Sequence, residues 1–110
     1  MPYDEDLANR LRKLLADEDG VREKRMFGGL AFLLHGNMAV AASHTGGLLA
    51  RVDPADAGQW IEPPKVAPME MRGRAMDGWL MVAPEAVEDE AGLGEWVERS
   101  VTFVKTLPAK

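Results

Sequence analysis

Two short apolar segments on either side of a Gly-Asn pair constrain the fold of this chain more than any other feature. They span residues 30–35 and 38–43 and flank Gly36-Asn37. Glycine suits the first central position of a type II′ turn, and such a pair between apolar segments is typical of a β-hairpin. We therefore predict two antiparallel strands joined by a two-residue turn at Gly36-Asn37, with His35 opposite Met38.

This pairing predicts apolar residues on both faces of the hairpin. One face, with Leu30, Phe32 and Leu34, sets large residues against small ones and fits beneath a helix. The opposite face is also apolar, although a two-layer domain would leave it in water. We expect either another part of the chain or a second protein to cover it. The predicted partner or dimer surface consists of Ala31, Leu33, Met38, Val40 and Ala42.

The remaining sequence predicts helices at both ends of the chain and further strands between them. Asp4 is suited to cap a first helix, and residues 21–27 form a charged strand that is typical of a sheet edge. Asp53-Pro54 begins a short helix that ends near Trp60. Three further strands are predicted at residues 48–52, 69–74 and 79–83, and the last two are joined at Asp77-Gly78. A C-terminal helix is predicted from about Asp89. Its apolar side carries Leu93, Val97, Val101 and Val104.

The element order predicts a two-layer α+β domain. We expect an antiparallel sheet of five or six strands, flanked by the N- and C-terminal helices, in the order helix, strands, helix, strands, helix. The apolar stripe of the first helix consists of Leu7, Leu11, Leu14 and Leu15. Residues 1–110 are sufficient for one such domain and one modest core.

Composition limits the functions that this chain can perform. The formal net charge is -5, with 18 acidic and 13 basic side chains, which opposes contact with a phosphate backbone. We therefore expect no direct binding to nucleic acid. The sequence has no cysteine, which excludes disulfides, thiol nucleophiles and cysteine-ligated metals. The N-terminus is acidic and leads into no apolar segment, so we expect a cytoplasmic protein without membrane contact.

The sequence offers single candidates for catalysis or metal binding but no complete set. His35 and His44 lie at opposite ends of the predicted hairpin, roughly 20 Å apart at about 3.4 Å per residue, so they cannot share a metal through it. Ser43 is adjacent to His44, yet neighbours on a strand point to opposite faces. We expect no catalysis, no bound metal and no cofactor.

A basic patch is an alternative candidate site. Basic residues of the charged strand and of a later strand would surround an anion if the two strands were neighbours. If these basic residues lay beside a cleft at Gly28-Gly29, they would bind a small anionic metabolite. The simpler interpretation of the same residues is that they form a solvated sheet edge. The residues of this possible anion patch are Arg22, Lys24, Arg25, Arg72 and Arg74.

The segment that follows the charged strand resembles a known signature. The motif Met26-Phe27-Gly28-Gly29, followed by an apolar hairpin through Gly36-Asn37, is similar to that of the TfoX (Sxy) N-terminal domain family. Residues 48–53 and 79–84 and the Leu93, Trp96 and Val97 helix agree with later blocks of the family. The resemblance therefore extends over nearly the whole chain.

The resemblance implies a small α+β domain with an antiparallel sheet flanked by helices. It also implies a link to bacterial proteins that promote the expression of competence genes for DNA uptake. A helical C-terminal domain follows in those proteins, whereas this sequence ends at Lys110, so we expect a stand-alone N-terminal domain. The family brings no established catalytic residues. We expect a regulatory or protein-interaction module, with a binder or enzyme for a small anionic metabolite as the alternative.

Overall fold

A computed structural model describes residues 3–26, 28–44, 46–71 and 73–109, and these residues form three α-helices and one six-stranded sheet. The helices are α1 (Glu5–Leu14), α2 (Pro54–Trp60) and α3 (Glu90–Val104), and a short 3-10 helix spans Pro84–Val87. The strands are β1 (Val21–Met26), β2 (Gly29–Leu34), β3 (Asn37–Ala42), β4 (Leu48–Arg51), β5 (Val66–Met71) and β6 (Arg74–Val82). The predicted α+β class and element order are confirmed.

The sheet is antiparallel, and its strands are arranged in the order β1-β2-β3-β4-β6-β5. The charged strand β1 therefore lies at one edge, as predicted, and β5 lies at the other. Four of the six residues of β1 are exposed, and each carries a charged side chain: Arg22, Glu23, Lys24 and Arg25. Charges of this kind on an edge strand oppose pairing with another chain.

The β2–β3 hairpin exists, but the predicted register is wrong. Leu34 pairs with Asn37, so the turn residues are His35 and Gly36. Their φ angles are 50° and 86°, and two successive positive φ values are typical of a type I′ turn. The register also shifts between Phe32 and Leu33.

This shift changes which residues of β3 share a face with β2. Val40 pairs with Phe32 and Met38 pairs with Leu33, which leaves one extra residue on β3 between them. A bulge of this kind reverses the alternation of side chains along the strand. As a result, both Ala39 and Val40 contact the core beneath the helices.

The β5–β6 hairpin also turns at another place than the one predicted. Met71 pairs with Arg74, so the connection lies before β6 and the Asp77-Gly78 pair lies within that strand. Gly78 has a φ of 81°, and its carbonyl oxygen accepts a hydrogen bond of 2.7 Å from the backbone N–H of Val52. The glycine therefore supports an irregular strand rather than a turn.

All three α-helices cover the same face of the sheet. The main core contains residues of each helix together with alternate residues of the central strands, which is the arrangement expected of a two-layer domain. Leu7, Leu11 and Leu15 of the predicted α1 stripe are buried, whereas Leu14 is 37% exposed. Among the described residues, no helix combines the length and the apolar character needed to cross a bilayer.

Each of the three α-helices begins after an aspartate at or near the start that the sequence indicated. Asp4 accepts hydrogen bonds from the backbone N–H groups of Asp6 and Leu7, Asp53 accepts one of 2.9 Å from Ala55, and Asp89 accepts one of 2.7 Å from Gly92. These caps satisfy backbone donors that the first helical turn leaves without partners. The helix starts are therefore determined locally.

Candidate interaction surface on the helix-free face of the sheet

The face of the sheet opposite the helices is apolar and partly buried. Ala31, Met38, Ala41 and Leu49 are each at most 6% exposed, although no described helix covers them. Larger, half-buried side chains contact these residues and form the outer surface. We call this set of nine residues the methionine face: Met26, Ala31, Leu33, Met38, Ala41, Leu49, Met69, Trp79 and Met81.

Strand alternation produces this second apolar face. On β6, Trp79 and Met81 point to the methionine face, whereas Leu80 and Val82 lie in the core. On β4, Leu49 lies on the methionine face in the same way. The sheet is thus apolar on both sides, which is unusual for an antiparallel sheet with helices on one side only.

The structure divides the predicted partner surface between the two faces. Ala31, Leu33 and Met38 lie on the methionine face, as expected. Val40 and Ala42 do not: each is 0% exposed and belongs to the core beneath the helices. The bulge on β3 is the physical cause of this difference, because it reverses the alternation of side chains between Met38 and Val40.

A small apolar pocket opens on the methionine face, next to the start of β2. Its volume is 190 Å³, about the size of one large apolar side chain. Exposed polar side chains at its margin include His44 and Glu70. Its lining residues are Met26, Gly29, Ala41, Ala42, Ser43, His44, Leu49, Met69, Glu70 and Met81.

Two successive glycines lie at this pocket: Gly29 lines it, and Gly28 precedes Gly29 in the chain. Gly28 has a φ of 77°, a left-handed conformation that favours glycine. A Cβ atom at Gly29 would collide with the backbone carbonyl oxygen of Ala42, so β2 and β3 approach each other here only because the side chain is absent. The backbone conformation therefore favours glycine at position 28, and the close approach of β2 and β3 at the pocket favours glycine at position 29.

A comparison with protein-family models matches residues 13–104 to the TfoX N-terminal domain. The chain belongs to this family. The match extends over most of the sequence and confirms the resemblance drawn from the motif. A search of curated proteins and a search of solved structures gave no match.

The motif of this TfoX N-terminal domain lies at the pocket. Met26 and Gly29 both line it, and a Cβ at Gly28 would lie 3.4 Å from the side chain of His44. Phe27 lies outside the described residues. The motif therefore contributes to the methionine face, in addition to determining the turn between β1 and β2.

The predicted anion patch is not brought together. Arg22, Lys24 and Arg25 are on β1, whereas Arg74 is on β6, and β2, β3 and β4 lie between these two strands. Arg72 lies outside the described residues. The pocket beside Gly28-Gly29 is mainly apolar, and no arginine of the described chain lines it. The geometry therefore gives no support to an anion site at this position.

The residues considered for catalysis do not form a catalytic set within the described chain. His35 is exposed in the β2–β3 turn, and His44 is exposed after β3. His44 and Glu70 both line the pocket, but no ion pair joins their side chains. Within residues 3–26, 28–44, 46–71 and 73–109, no group of three or more histidine, aspartate or glutamate residues is arranged to hold a metal.

An arginine stabilises the other end of the methionine face. The guanidinium carbon of Arg51 lies 5.0 Å from the centre of the Trp79 ring and 5.8 Å from that of Phe103. Contacts at this distance are attractive because the aromatic face carries partial negative charge. Burial lowers the pKa of Arg51 from its ordinary value, and the side chain remains a cation at neutral pH.

Several residues of the methionine face were missed by the sequence analysis. Leu49, Met69, Trp79 and Met81 were assigned to strands but not to a surface. Ala41 was expected opposite Phe32 on the face beneath the helices, whereas it lies on the methionine face. The uninterrupted apolar segment at residues 79–82 was the available signal, since a strand with water on one face normally alternates apolar and polar residues.

Proposed function

We propose that this TfoX N-terminal domain is a cytoplasmic, non-catalytic regulatory module that binds a protein partner through the methionine face. The observation that carries the proposal is an apolar sheet face that no described helix covers. Family membership supports the same conclusion, since it points to a regulatory or interaction module. In its narrower form, the proposal places the domain among regulators of competence genes.

The side chains of this face are suited to contact with varied partners. Four of the seven methionines of the chain belong to it: Met26, Met38, Met69 and Met81. Methionine is unbranched and polarisable, so it adapts its shape to different apolar surfaces. The 190 Å³ pocket fits one apolar anchor side chain of a partner, and such anchors contribute much of the binding energy at protein interfaces.

Limited exposure favours a partner that binds reversibly over a permanent dimer. The large apolar side chains that are at least 36% exposed in the described chain are Leu14 and Ile61, and neither lies on the methionine face. Permanent dimers bury extensive apolar surfaces. We therefore assign the face to a different protein that presents an apolar side chain, with self-association as the competing outcome.

The test compares the same substitution on the two layers of the domain. Leu33→Asp places a charge on the methionine face, and Leu14→Asp places one on an exposed leucine of α1. Tagged wild type and both variants are expressed in the native cells, checked for folding by circular dichroism, and isolated with their bound proteins.

We expect a defined set of proteins to copurify with wild type and Leu14→Asp but not with Leu33→Asp. Equal recovery by all three proteins contradicts the proposal. The competing outcome is self-association, and sedimentation of the purified wild type at high concentration detects it. Self-association of wild type that is absent in Leu33→Asp would assign the face to a second copy of the chain.

A further inference from the structure

The helix layer contains an arginine held against two tryptophan rings. The guanidinium carbon of Arg99 lies 4.8 Å from the centre of the Trp60 ring and 4.7 Å from that of Trp96. The ring centres are 6.1 Å apart and the ring planes meet at 73°. Both indoles therefore present surface to a single cation, and this kind of contact is attractive.

Two cavities meet at this arginine. One, of 520 Å³, lies between α2 and α3, and the other, of 460 Å³, extends towards the start of β5. Trp60 and Arg99 line both cavities, so together they form the partition between them. We call the two cavities and this partition the α2–α3 trough. Its dimensions are within the range of natural binding sites.

The larger cavity has an excess of negative charge beside its aromatic wall. Asp53, Asp56, Glu95 and Glu98 line it, whereas Arg99 is the single basic residue among its described lining residues. Asp53 caps α2, and Glu95 lies 3.7 Å from Arg99. The carboxylates of Asp56 and Glu98 have no ion-pair partner among the described residues, so they remain free to accept hydrogen bonds from a cation.

We propose that the α2–α3 trough binds an arginine side chain from a basic peptide segment of a partner protein, in competition with Arg99. The incoming guanidinium stacks on Trp60, and Asp56 and Glu98 accept its hydrogen bonds. Arginine suits this site better than lysine, because its planar guanidinium stacks on aromatic rings and donates two parallel hydrogen bonds to a carboxylate.

The internal arginine is placed so that it can leave its position. The Arg99 side chain is 29% exposed, and Glu95 lies one helical turn before it on the same side of α3. Arg99 can therefore keep its ion pair with Glu95, 3.7 Å away, when it leaves Trp60. This site lies on the helix layer, away from the methionine face, and its test does not depend on the proposed partner of that face.

The first experiment measures binding of a hexa-arginine peptide to the purified domain by titration calorimetry near physiological ionic strength. The matched variants are Asp56→Asn/Glu98→Gln in the trough and Glu85→Gln/Glu88→Gln outside it, so both change the net charge equally. We expect at least a tenfold weaker affinity for the trough variant and less than a twofold change for the other. An equal loss in both variants, or no binding to wild type, overturns the proposal.

The second experiment tests competition by Arg99 and the role of the aromatic wall. Arg99→Ala is expected to bind the hexa-arginine peptide at least tenfold more tightly than wild type. Trp60→Leu is expected to weaken binding at least fivefold. Trp79→Leu, which removes the tryptophan that lies against Arg51 outside the trough, is expected to leave it unchanged. Equal or weaker binding by Arg99→Ala contradicts the assignment. Arg99 is not a member of the hydrophobic core, and its side chain is 29% exposed.

Two further probes test the identity of the cation. Hexa-lysine peptide tests whether the site prefers guanidinium to ammonium groups, and free arginine tests whether it prefers a peptide to a small molecule. Hexa-arginine is expected to bind at least threefold more tightly than hexa-lysine, since only the guanidinium stacks as a plane. Free arginine is expected to bind at least tenfold more weakly than the peptide. Free arginine that binds as tightly as the peptide would overturn the assignment to a partner protein.

Discussion

The side-chain amide of Asn37 donates a hydrogen bond of 2.8 Å to the backbone carbonyl oxygen of Pro108. Asn37 begins β3 and is 3% exposed, whereas Pro108 follows α3 near the end of the chain. This bond connects the central hairpin to the C-terminal segment. A second contact near the same end joins Lys105 to Glu18 at 2.7 Å.

Removal of this amide is expected to destabilise the domain. Asn37→Ala removes the hydrogen bond from this buried amide to the carbonyl oxygen of Pro108, which lowers the free energy of unfolding by about 0.5–1.5 kcal/mol. Chemical denaturation measures the difference. Asn9→Ala is the control, because Asn9 is exposed and accepts its 2.6 Å hydrogen bond from Arg12 on the surface of α1. Equal losses in the two variants would show that the link to Pro108 is unimportant.

Gly29→Ala is expected to disrupt the contact between β2 and β3. The added Cβ would collide with the carbonyl oxygen of Ala42 and would lie 3.3 Å from the Cα atom of Ser43. Since the neighbouring atoms are backbone, the sheet must shift, at a cost of about 1–3 kcal/mol or more. Thermal unfolding measures this loss.

The control for this prediction is the same substitution within a helix. Gly94 lies in α3, and a Cβ there would have no neighbour within 4 Å. Gly94→Ala is expected to raise the free energy of unfolding by about 0.5–1 kcal/mol, because alanine is the better helix former. A stable Gly29→Ala variant would contradict the close approach of the two strands.

Ser100→Ala is expected to stabilise the domain. Ser100 is 0% exposed, and its hydroxyl has no hydrogen-bond partner in the described part of the chain. An unsatisfied buried hydroxyl is unfavourable by about 1–3 kcal/mol, so its removal raises the free energy of unfolding. Thr102→Ala, on the exposed side of the same helix, measures the gain from helix propensity alone. A Ser100→Ala gain no larger than this control would argue against an unsatisfied hydroxyl.

The ion pair between Arg12 and Glu23 is expected to give part of the acid dependence of stability. Arg12 donates hydrogen bonds of 2.7 and 2.8 Å to the two carboxylate oxygens of Glu23. These bonds lower the pKa of Glu23 below its ordinary value of 4.5. A lowered pKa in the folded state means that the stabilisation is complete above about pH 4.5 and is lost as the pH falls through the folded-state value.

The measurement for this pair is the melting temperature as a function of pH. Glu23→Gln is expected to melt lower than wild type near neutral pH, with a difference that shrinks as the solution is acidified below pH 4.5. The effect is small because both side chains are partly exposed. Glu62→Gln is the control, because Glu62 is exposed and forms no ion pair with a described residue. A Glu23→Gln difference that is constant with pH would exclude this account.

The sequence predicted the features that depend on local chemistry. Asp4 and Asp53 were identified as helix caps because a carboxylate accepts hydrogen bonds from nearby backbone N–H groups, and the C-terminal helix was placed from about Asp89. The edge position of β1 followed from its charged side chains. The presence of the β2–β3 hairpin followed from two apolar segments around a glycine.

The exact register of that hairpin was decided by contacts between distant residues. His35 adopts a positive φ, and its backbone N–H donates a hydrogen bond of 3.1 Å to the carbonyl oxygen of Gly20. A Cβ at Gly20 would lie 2.6 Å from the His35 ring, so glycine there makes room for the turn. The sequence around Gly36 contained no sign of this contact.

The sequence by itself thus determined the class of the fold, the helix starts and the existence of a second apolar face, because capping, charge and alternation act within a few residues. The tertiary structure decided which residues form that face. Val40 lies in the core and Met81 on the methionine face because of a bulge on β3 and the pairing of β4 with β6. Such strand pairings depend on residues far apart in the chain, and a one-residue change of register reverses every side chain that follows.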